Sequence, residues 1–403
     1  MLSKEDNETL TRVGPGTPAG EMLRRYWIPV GISDEVKDVP RKVRYLCEDL
    51  VLFRDENGSP ALLGLHCPHR LTSLEYGRIQ DGGIRCPYHG WLFDITGRCL
   101  EQPGEPADST FKDKCQHTAY PCRDHGGLVF TYMGPGAPPL LPNWEILVRP
   151  DMIRKASMDW PVHPCNFFQI VENDSDPIHA VFLHNDPSFA QNTYFPIMPT
   201  RIDYEEVEYG VRTTVYRDGS EPGTVYRRRV NSLMPFCLAF GGGKSATDGD
   251  VPDFGGSLRF RVPIDDGNTA FFSVYAYAKD AADNANLMDM GGIFADRDVI
   301  ERSKIATDWE PERDADGRPI LDTTWKQDYA AIVSQGETVD RTKEKLGASD
   351  RGVLLIRKMY LKAIRDVREG RDPLLVRRDP ENNPLVRLPI TNVIDSEKVL
   401  LDS

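Results

Sequence analysis

Two short loops, each with one cysteine and one histidine, constrain this 403-residue chain more than any other feature of its sequence. Cys67-Pro68-His69 is followed, after 16 residues, by Cys86-Pro87-Tyr88-His89. A mixed-ligand 2Fe-2S centre takes two thiolates on one iron and two imidazoles on the other, and two such loops supply them together. Tetrahedral zinc accepts the same four ligands, but zinc sites usually pair Cys with Cys and His with His. The ligand order favours iron and sulfur.

A second group of metal-binding residue types lies in the other half of the chain, where residues 166–184 read as helical. Asp176 and His179 are three residues apart and share a helix face, so the carboxylate can accept a hydrogen bond from the ring nitrogen that does not bind metal. His179 and His184 diverge by about 140° on an ideal helix. Both reach one ion only if the helix is distorted or ends before His184.

Both motifs resemble those of one family, the Rieske ring-hydroxylating oxygenases. Cys67 to Trp91 resembles the Rieske signature, and the Asp-x-x-His-x-x-x-x-His pattern from Asp176 to His184 resembles the catalytic-iron motif of the same enzymes. Residues 10–18, 261–266 and 335–351 are similar to the phthalate-dioxygenase-like branch, which also contains aryl O-demethylases. The resemblance covers most of the chain.

Two histidines still lack the carboxylate of the two-His, one-carboxylate triad that non-haem Fe(II) oxygenases use. The family that the chain resembles takes this ligand from a helix well downstream, and residues 325–335 fit that helix. Asp328 and Ile332 lie one turn apart on one side of it. We therefore predict His179, His184 and Asp328 as the iron ligands, with Asp322 and Glu337 as alternatives for the third.

The resemblance implies an α+β chain with an N-terminal all-β Rieske domain followed by a helix-grip catalytic domain of antiparallel sheet and helices. Short apolar runs between residues 41 and 132 are separated by turn residues and are typical of strands. The Gly- and Pro-rich segment 134–139 is a linker signal. We predict a Rieske domain with an N-terminal helical segment over 1–150, and over 151–403 a catalytic domain with a mononuclear iron and a C-terminal helix.

By this resemblance, the chain is the oxygenase component of a multicomponent system that uses O2 to hydroxylate an aromatic substrate, carboxylated or not. The implied cofactors are a 2Fe-2S cluster on Cys67, His69, Cys86 and His89 and a mononuclear Fe(II). Electrons come from a separate reductase or ferredoxin, so NAD(P)H acts only indirectly; a dinucleotide-binding glycine motif is missing. The family also forms homotrimers or stacked trimers, in which Asp176 links the cluster of one subunit to the catalytic iron of its neighbour.

Alternative functions use the same residues. Oxidative O-demethylation of a methoxylated aromatic needs the same iron machinery, and the motifs do not separate it from ring hydroxylation. An electron carrier whose second domain only binds a partner, and a zinc-stabilised binding module, are two further hypotheses.

The trio Arg227-Arg228-Arg229 lies in a predicted strand, so Arg228 faces away from its neighbours. Either one of these arginines binds a substrate carboxylate, or the trio forms a solvated strand edge.

Charge and hydropathy exclude several partner classes. Lys and Arg total 49 against 62 Asp and Glu, and the net charge of −13 repels nucleic-acid phosphates and anionic lipid. The apolar runs are shorter than the roughly 20 residues that cross a bilayer, and the first residues are too polar for a signal peptide. We therefore expect a cytoplasmic protein without nucleic-acid or membrane partners, whose eight cysteines are reduced thiols or metal ligands rather than disulfides.

Overall fold

The computed structural model describes residues 2–158, 162–185, 196–219, 221–241, 256–278 and 310–396. Its helices are α1 Lys4–Thr11, α2 Pro18–Leu23, α3 Glu145–Val148, α4 Phe167–Asp174, α5 His179–Leu183, α6 Thr324–Val333 and α7 Arg351–Arg368. Within these described residues, none of the helices is long and apolar enough to cross a membrane.

Residues 27–132 form small antiparallel sheets whose strand orders are β1-β11-β10, β2-β3-β4-β9 and β5-β6-β7-β8. These strands are short because Gly, Asp and Asn interrupt the chain every few residues. They are β1 Trp27–Ile32, β2 Arg41–Tyr45, β3 Glu48–Arg54, β4 Pro60–Gly64, β5 Arg78–Gln80, β6 Gly83–Arg85, β7 Leu92–Asp94, β8 Cys99–Glu101, β9 Ala119–Tyr120, β10 Cys122–His125 and β11 Leu128–Tyr132.

A larger antiparallel sheet follows, in the order β12-β18-β17-β16-β15-β14-β13, with β19 also paired to β15. Its neighbouring strands join mostly through hairpins, which is why the order largely follows the chain. The strands are β12 Met152–Ser157, β13 Arg201–Val207, β14 Gly210–Asp218, β15 Thr224–Leu233, β16 Cys237–Phe240, β17 Gly256–Asp265, β18 Asn268–Ala278 and β19 Thr391–Ser396.

The two faces of this sheet differ in character because alternate residues of a strand point to opposite sides. One face carries Leu258, Phe260 and Phe272 into the main hydrophobic core. Arg259 and Arg261 point to the other face, where Arg261 Nη2 donates a hydrogen bond to Asp174 of α4 at 2.7 Å. The end of α4 that leads to the histidine motif therefore lies against the arginine-bearing face.

The β2–β3 hairpin connects the small sheets to the large one. It turns through Leu46 and Cys47, which both have positive φ (48° and 66°). Two-residue hairpin loops of that geometry favour Asn-Gly or Asp-Gly, so these residues need support from outside the hairpin. Their amides donate to the carbonyls of Pro263 and Ile264 at 3.0 Å. The tip of the hairpin is thus held by the end of β17.

A buried ionic network fixes α4. Glu172 accepts hydrogen bonds from Arg341 (Nε–Oε1 2.9 Å, Nη2–Oε2 2.7 Å) and from Arg357 of α7 (Nε–Oε1 2.6 Å). Arg357 also binds Glu344, and Arg341 donates to Asn7 of α1 at 3.0 Å. Two carboxylates and two guanidinium groups balance one another here. The network joins α4 to α1, to α7 and to the segment between α6 and α7.

The structure confirms the predicted α+β class, with small sheets first and a large antiparallel sheet with helices after them. The helical prediction for 166–184 holds for α4 and α5, and Ser175 to Ile178 between them form the distortion that the two histidines required. Pro177 lies in this break, where it lacks a backbone donor and disfavours helical geometry at the residue before it. The domain division at residue 150 stays a prediction.

We expect Arg341→Leu to lower the free energy of unfolding by about 3–5 kcal/mol, because removing one partner leaves a buried charge uncompensated. Arg341 is fully buried. The readout is denaturant unfolding of the holoenzyme followed by circular dichroism. The matched control is Arg318→Leu, since Arg318 pairs with Asp316 at an exposed position and should leave unfolding unchanged. Equal stability of the two variants would contradict a structural role for the network.

Candidate metal centres

The two Cys-His loops have the same backbone construction. In the first, the Leu71 amide donates to the Cys67 carbonyl at 2.9 Å, and the Cys67 amide donates to the Thr72 carbonyl at 2.9 Å. In the second, the corresponding bonds run from Gly90 to Cys86 at 3.1 Å and from Cys86 to Trp91 at 2.8 Å. Each loop therefore closes on its own cysteine, and the histidine lies within the closed turn.

The residues that close the two loops, Leu71 and Gly90, both have left-handed backbone conformations. Gly90 has φ +75°, where glycine carries no steric penalty. Leu71 takes up the equivalent position with φ +61° and its side chain 71% exposed. A branched residue in this region is strained, and the surrounding hydrogen bonds hold it there.

The thiols lie inside and the imidazoles lie towards the surface. Cys67 and Cys86 are buried, and the Cys67 sulfur contacts the His69 amide and the Cys86 thiol. The rings of His69 and His89 meet edge to face with centroids 4.5 Å apart, and His69 stacks on Trp91, also at 4.5 Å. This division suits a cluster with one thiolate-bound iron within the protein and one imidazole-bound iron near solvent.

The four residues of the Cys-His loops supply the two thiolates and two imidazoles that a mixed-ligand cluster takes. Among the described residues, three or more His, Cys, Asp or Glu ligand atoms lie within 4.8 Å of one another only at His179, His184 and Asp328. One tetrahedral zinc needs its ligand atoms close together. Among the described residues, the four Cys-His side chains do not form such a compact group.

The break between α4 and α5 brings the second group of histidines together. Asp176 Oδ1 accepts a hydrogen bond from the Ile178 amide at 2.8 Å, which forms the turn into α5. His179 is the first residue of α5, and His184 follows its last residue with φ −103° and ψ 26°. Because the helix ends before His184, the expected divergence of the two rings does not apply, and both face α6.

Asp328 of α6 completes the group. Its Oδ1 lies 3.4 Å from His184 Nε2 and 3.7 Å from His179 Nε2. This oxygen is buried and has no hydrogen-bond partner among the described residues. A buried acceptor left without a donor is unfavourable, and a cation between it and the two ring nitrogens would satisfy it. The donor set is that of the non-haem Fe(II) triad.

Electrostatics keep the carboxylate ionised. Burial opposes ionisation, but the neighbouring His184 and His179 outweigh it and lower the pKa of Asp328. Burial also opposes protonation of His184, yet Asp328 raises the pKa of that ring. The charges of Arg228 and Arg259 act on His184 and Asp328, respectively, so the arginine-bearing sheet face approaches the triad.

The alternatives for the third ligand lie elsewhere. Asp322 pairs with Lys326 at 2.6 Å, and Glu337 packs against Gly267. Asp176 lies beside the triad, with its Oδ2 3.9 Å from Nδ1 of His179, and its side chain is 27% exposed. The ligand roles of all these residues stay predictions.

Sequence reasoning missed two contacts at the triad. Gln327 accepts a hydrogen bond from Nδ1 of His184 at 2.7 Å. Asp174 forms a buried ion pair with Arg261, and burial raises the pKa of Asp174 despite that partner. Gln327 directly precedes Asp328, but adjacency alone does not indicate that both side chains reach the same histidine.

Known proteins resemble this chain over the Cys-His loops and over nearly its whole length. A model of the Rieske 2Fe-2S domain family matches residues 26–112, which contain both Cys-His loops. The chain is 35% identical over 400 residues to the 5,5'-dehydrodivanillate O-demethylase oxygenase subunit of Sphingobium sp., covering 96% of this chain and 87% of that relative. It is 35% identical over 395 residues to phenoxybenzoate dioxygenase subunit alpha of Ectopseudomonas oleovorans, covering 94% and 89%.

The chain belongs to the Rieske oxygenase family. This membership confirms the predicted enzyme class, a multicomponent Rieske mono- or dioxygenase subunit, and the predicted cofactors, a 2Fe-2S cluster and a mononuclear iron that works with O2. It excludes the zinc module and the electron carrier without oxygenase chemistry.

Solved structures share the fold of this Rieske oxygenase. Dicamba monooxygenase superposes with a TM-score of 0.63 at 17% identity, covering 87% of this chain and 99% of that one. The oxygenase of carbazole 1,9a-dioxygenase, solved in complex with a ferredoxin, gives a TM-score of 0.61 at 19% identity, covering 93% and 96%. At these identities, the similarity concerns the fold alone.

We expect Asp328→Ala to remove the mononuclear iron and leave the cluster in place, because the triad loses its only anionic ligand. The wild-type protein should hold about three irons for every two acid-labile sulfides, and the variant about two irons for every two sulfides. Asp322→Ala is the matched control on the same segment and should keep the wild-type ratio. Retention of the third iron by Asp328→Ala would remove this residue from the ligand set.

Proposed function

We propose that this Rieske oxygenase subunit hydroxylates a carboxylated aromatic compound. The observation that carries the proposal is the convergence of His179, His184 and Asp328 beneath a sheet face that bears arginines. We assign residues 1–150 to the cluster domain and residues 151–403 to the catalytic domain. Cys67, His69, Cys86 and His89 hold the 2Fe-2S cluster in this proposal.

The side chains divide the work between the two sites. When bound, the cluster supplies single electrons and the mononuclear iron supplies open positions for O2. Asp328 contributes the negative charge that retains a divalent cation, and His179 and His184 contribute neutral nitrogen donors. His184 is buried and His179 and Asp328 are half-buried, and the reduced contact with water strengthens the charge interactions among them.

The substrate class follows from charge. On β15 and β17, Arg228 and Arg259 lie on the face of the sheet that approaches the triad, and both are half-buried. Burial lowers the pKa of Arg228, and Arg259 lowers it further. The planar fork of a guanidinium group matches a carboxylate, so arginines on the sheet face that approaches the triad suit an anionic substrate. A carboxylated ring would be oriented with its carboxylate on these arginines.

A second candidate is oxidative O-demethylation of a methoxylated aromatic. It is favoured by the full-length similarity to the 5,5'-dehydrodivanillate O-demethylase oxygenase subunit. The relative named phenoxybenzoate dioxygenase subunit alpha is equally similar and supports ring hydroxylation. Both reactions place the same triad beside a substrate, so product identity separates them.

Electrons reach the triad from a neighbouring subunit in this proposal. Among the described residues, the hydrophobic cluster around the Cys-His loops is separate from the one behind the triad. Large apolar side chains are exposed at both sites, with Leu71 and Tyr88 at the loops and Phe182 beside the triad. A head-to-tail homotrimer, alone or stacked in pairs, would cover them and bring His89 of one protomer to Asp176 of the next.

The electron donor is a separate reductase or ferredoxin. The oxygenase of carbazole 1,9a-dioxygenase, which shares this fold, has been solved with a ferredoxin. NAD(P)H then serves that donor rather than this chain. We also propose a cytoplasmic location, where reduced pyridine nucleotides are available and the six cysteines outside the cluster stay reduced.

We expect aromatic acids to stimulate O2 uptake by the reconstituted system, and their primary amides to stimulate it at least about tenfold less, because an amide lacks the charge that binds arginine. The screen covers benzoates, phthalates, phenoxybenzoates and methoxybenzoates with a matched reductase. Formaldehyde release identifies demethylation, and a phenol or diol identifies ring hydroxylation. Equal uptake with acids and amides would overturn the carboxylate proposal.

The arginine assignment has its own control within the same screen. Arg228→Met should raise KM for the acid by about 10–100-fold and leave KM for the amide unchanged. Arg212→Met is the matched control, since Arg212 lies on the neighbouring strand and pairs with Glu205. A KM effect of Arg228→Met that is equal for acid and amide would indicate damage to the sheet rather than lost recognition.

We expect Asp176→Asn to keep both metal centres and to slow substrate-dependent O2 uptake by about 10–100-fold, because the carboxylate that links the neighbouring subunit's His89 to His179 in this proposal is lost. Iron and sulfide content, and stopped-flow reoxidation of the reduced cluster, are the measurements. Asp203→Asn, a surface carboxylate paired with Arg201, is the control. Wild-type reoxidation by Asp176→Asn would remove the bridging role.

A further inference from the structure

Gln327 links the triad to the start of α6 through both ends of its amide. Its Oε1 accepts a hydrogen bond from Nδ1 of His184 at 2.7 Å, and its Nε2 donates to the Leu321 carbonyl at 2.9 Å. The side chain is 4% exposed. Both bonds are therefore shielded from water, where a lost partner is costly.

The Leu321 carbonyl fixes which way the amide points. A carbonyl only accepts hydrogen bonds, so the amide NH2 must face Leu321, and the amide oxygen must face His184. An oxygen acceptor at 2.7 Å then requires a proton on Nδ1 of His184. The other ring nitrogen, Nε2, is left with its lone pair directed at Asp328, 3.4 Å away.

The second histidine of the triad lacks such support within the chain. Nδ1 of His179 is buried and has no hydrogen-bond partner among the described residues. The nearest acceptor, Asp176 Oδ2, is 3.9 Å away, which is too far for a hydrogen bond. The two metal-binding histidines are thus unequal, with His184 oriented in advance and His179 not.

We propose that Gln327 is a positioning residue that sets the tautomer and orientation of His184, so that Nε2 of His184 and Asp328 form a half-site ready for a divalent cation. The inference rests on the proposed metal triad. Hydrogen bonds to the distal nitrogen of a metal-binding histidine typically alter metal affinity by about 10–100-fold.

The test measures Co(II) binding, which does not depend on turnover. The full-length protein with its cluster intact is depleted of mononuclear iron and titrated with Co(II) against a chromophoric chelator. Gln327→Leu removes both hydrogen bonds and should weaken Co(II) binding by about 10–100-fold. Gln327→Glu keeps the acceptor for His184 but loses the donor to Leu321, and should bind Co(II) at least as tightly as wild type.

Controls separate positioning from folding. Lys326→Leu alters the neighbouring residue, whose amine pairs only with Asp322 among its described contacts, and should leave Co(II) affinity unchanged. The reduced-cluster electron paramagnetic resonance spectrum should be identical in all variants. The high-spin Co(II) spectrum should change in Gln327→Leu, since the orientation of His184 changes the ligand field.

Three outcomes would overturn the inference. Wild-type affinity in Gln327→Leu would show that the bond to His184 is dispensable. Equal losses in Gln327→Leu and Gln327→Glu would assign the effect to the tether on Leu321. Wild-type affinity in His184→Ala would instead remove the triad itself, which is a failure of the proposed function and is distinct from the other two.

Discussion

One carboxylate shared by two buried guanidinium groups determines where the catalytic site can lie. Glu172 holds Arg341 and Arg357, and through them α1 and α7. Since charges at low dielectric tolerate little displacement, the end of α4 is a fixed point. The turn at residues 175–178 starts from that point, and the two histidines follow within nine residues. The position of the triad is therefore set by ionic contacts that do not touch it.

The sequence allowed different parts of the molecule to be predicted for different physical reasons. The Cys-His loops are contiguous, so chemistry and spacing specify them locally. Asp328 was separable from Asp322 and Glu337 only through helix spacing and family resemblance. Gln327 and the Glu172 network were missed because their partners lie 143 to 185 residues away, and periodicity does not reveal which distant side chain a buried polar group will meet. The helix break at Pro177 was half anticipated, since the angular divergence of His179 and His184 required a distortion whose position the pattern left open.

The charge balance around the triad connects fold to chemistry. Asp328 stays ionised because two imidazoles offset its desolvation, while Asp174, the last residue before the break, is held by Arg261 from β17. Other arginines on the same sheet face as Arg261 add positive charge beside the triad. In the proposed function, the triad binds a cation and the arginines of the sheet face bind the substrate carboxylate.

Leu71 combines an unfavourable left-handed backbone conformation with an exposed apolar side chain at the tip of the first Cys-His loop. Glycine performs the same turn in the second loop without strain, so leucine is the less stable choice for an isolated chain. Its exposed side chain contributes nothing to the fold of a lone protomer. In the proposed homotrimer, which would cover this side chain, a substitution that relaxes residue 71 would stabilise the single protomer and weaken the trimer.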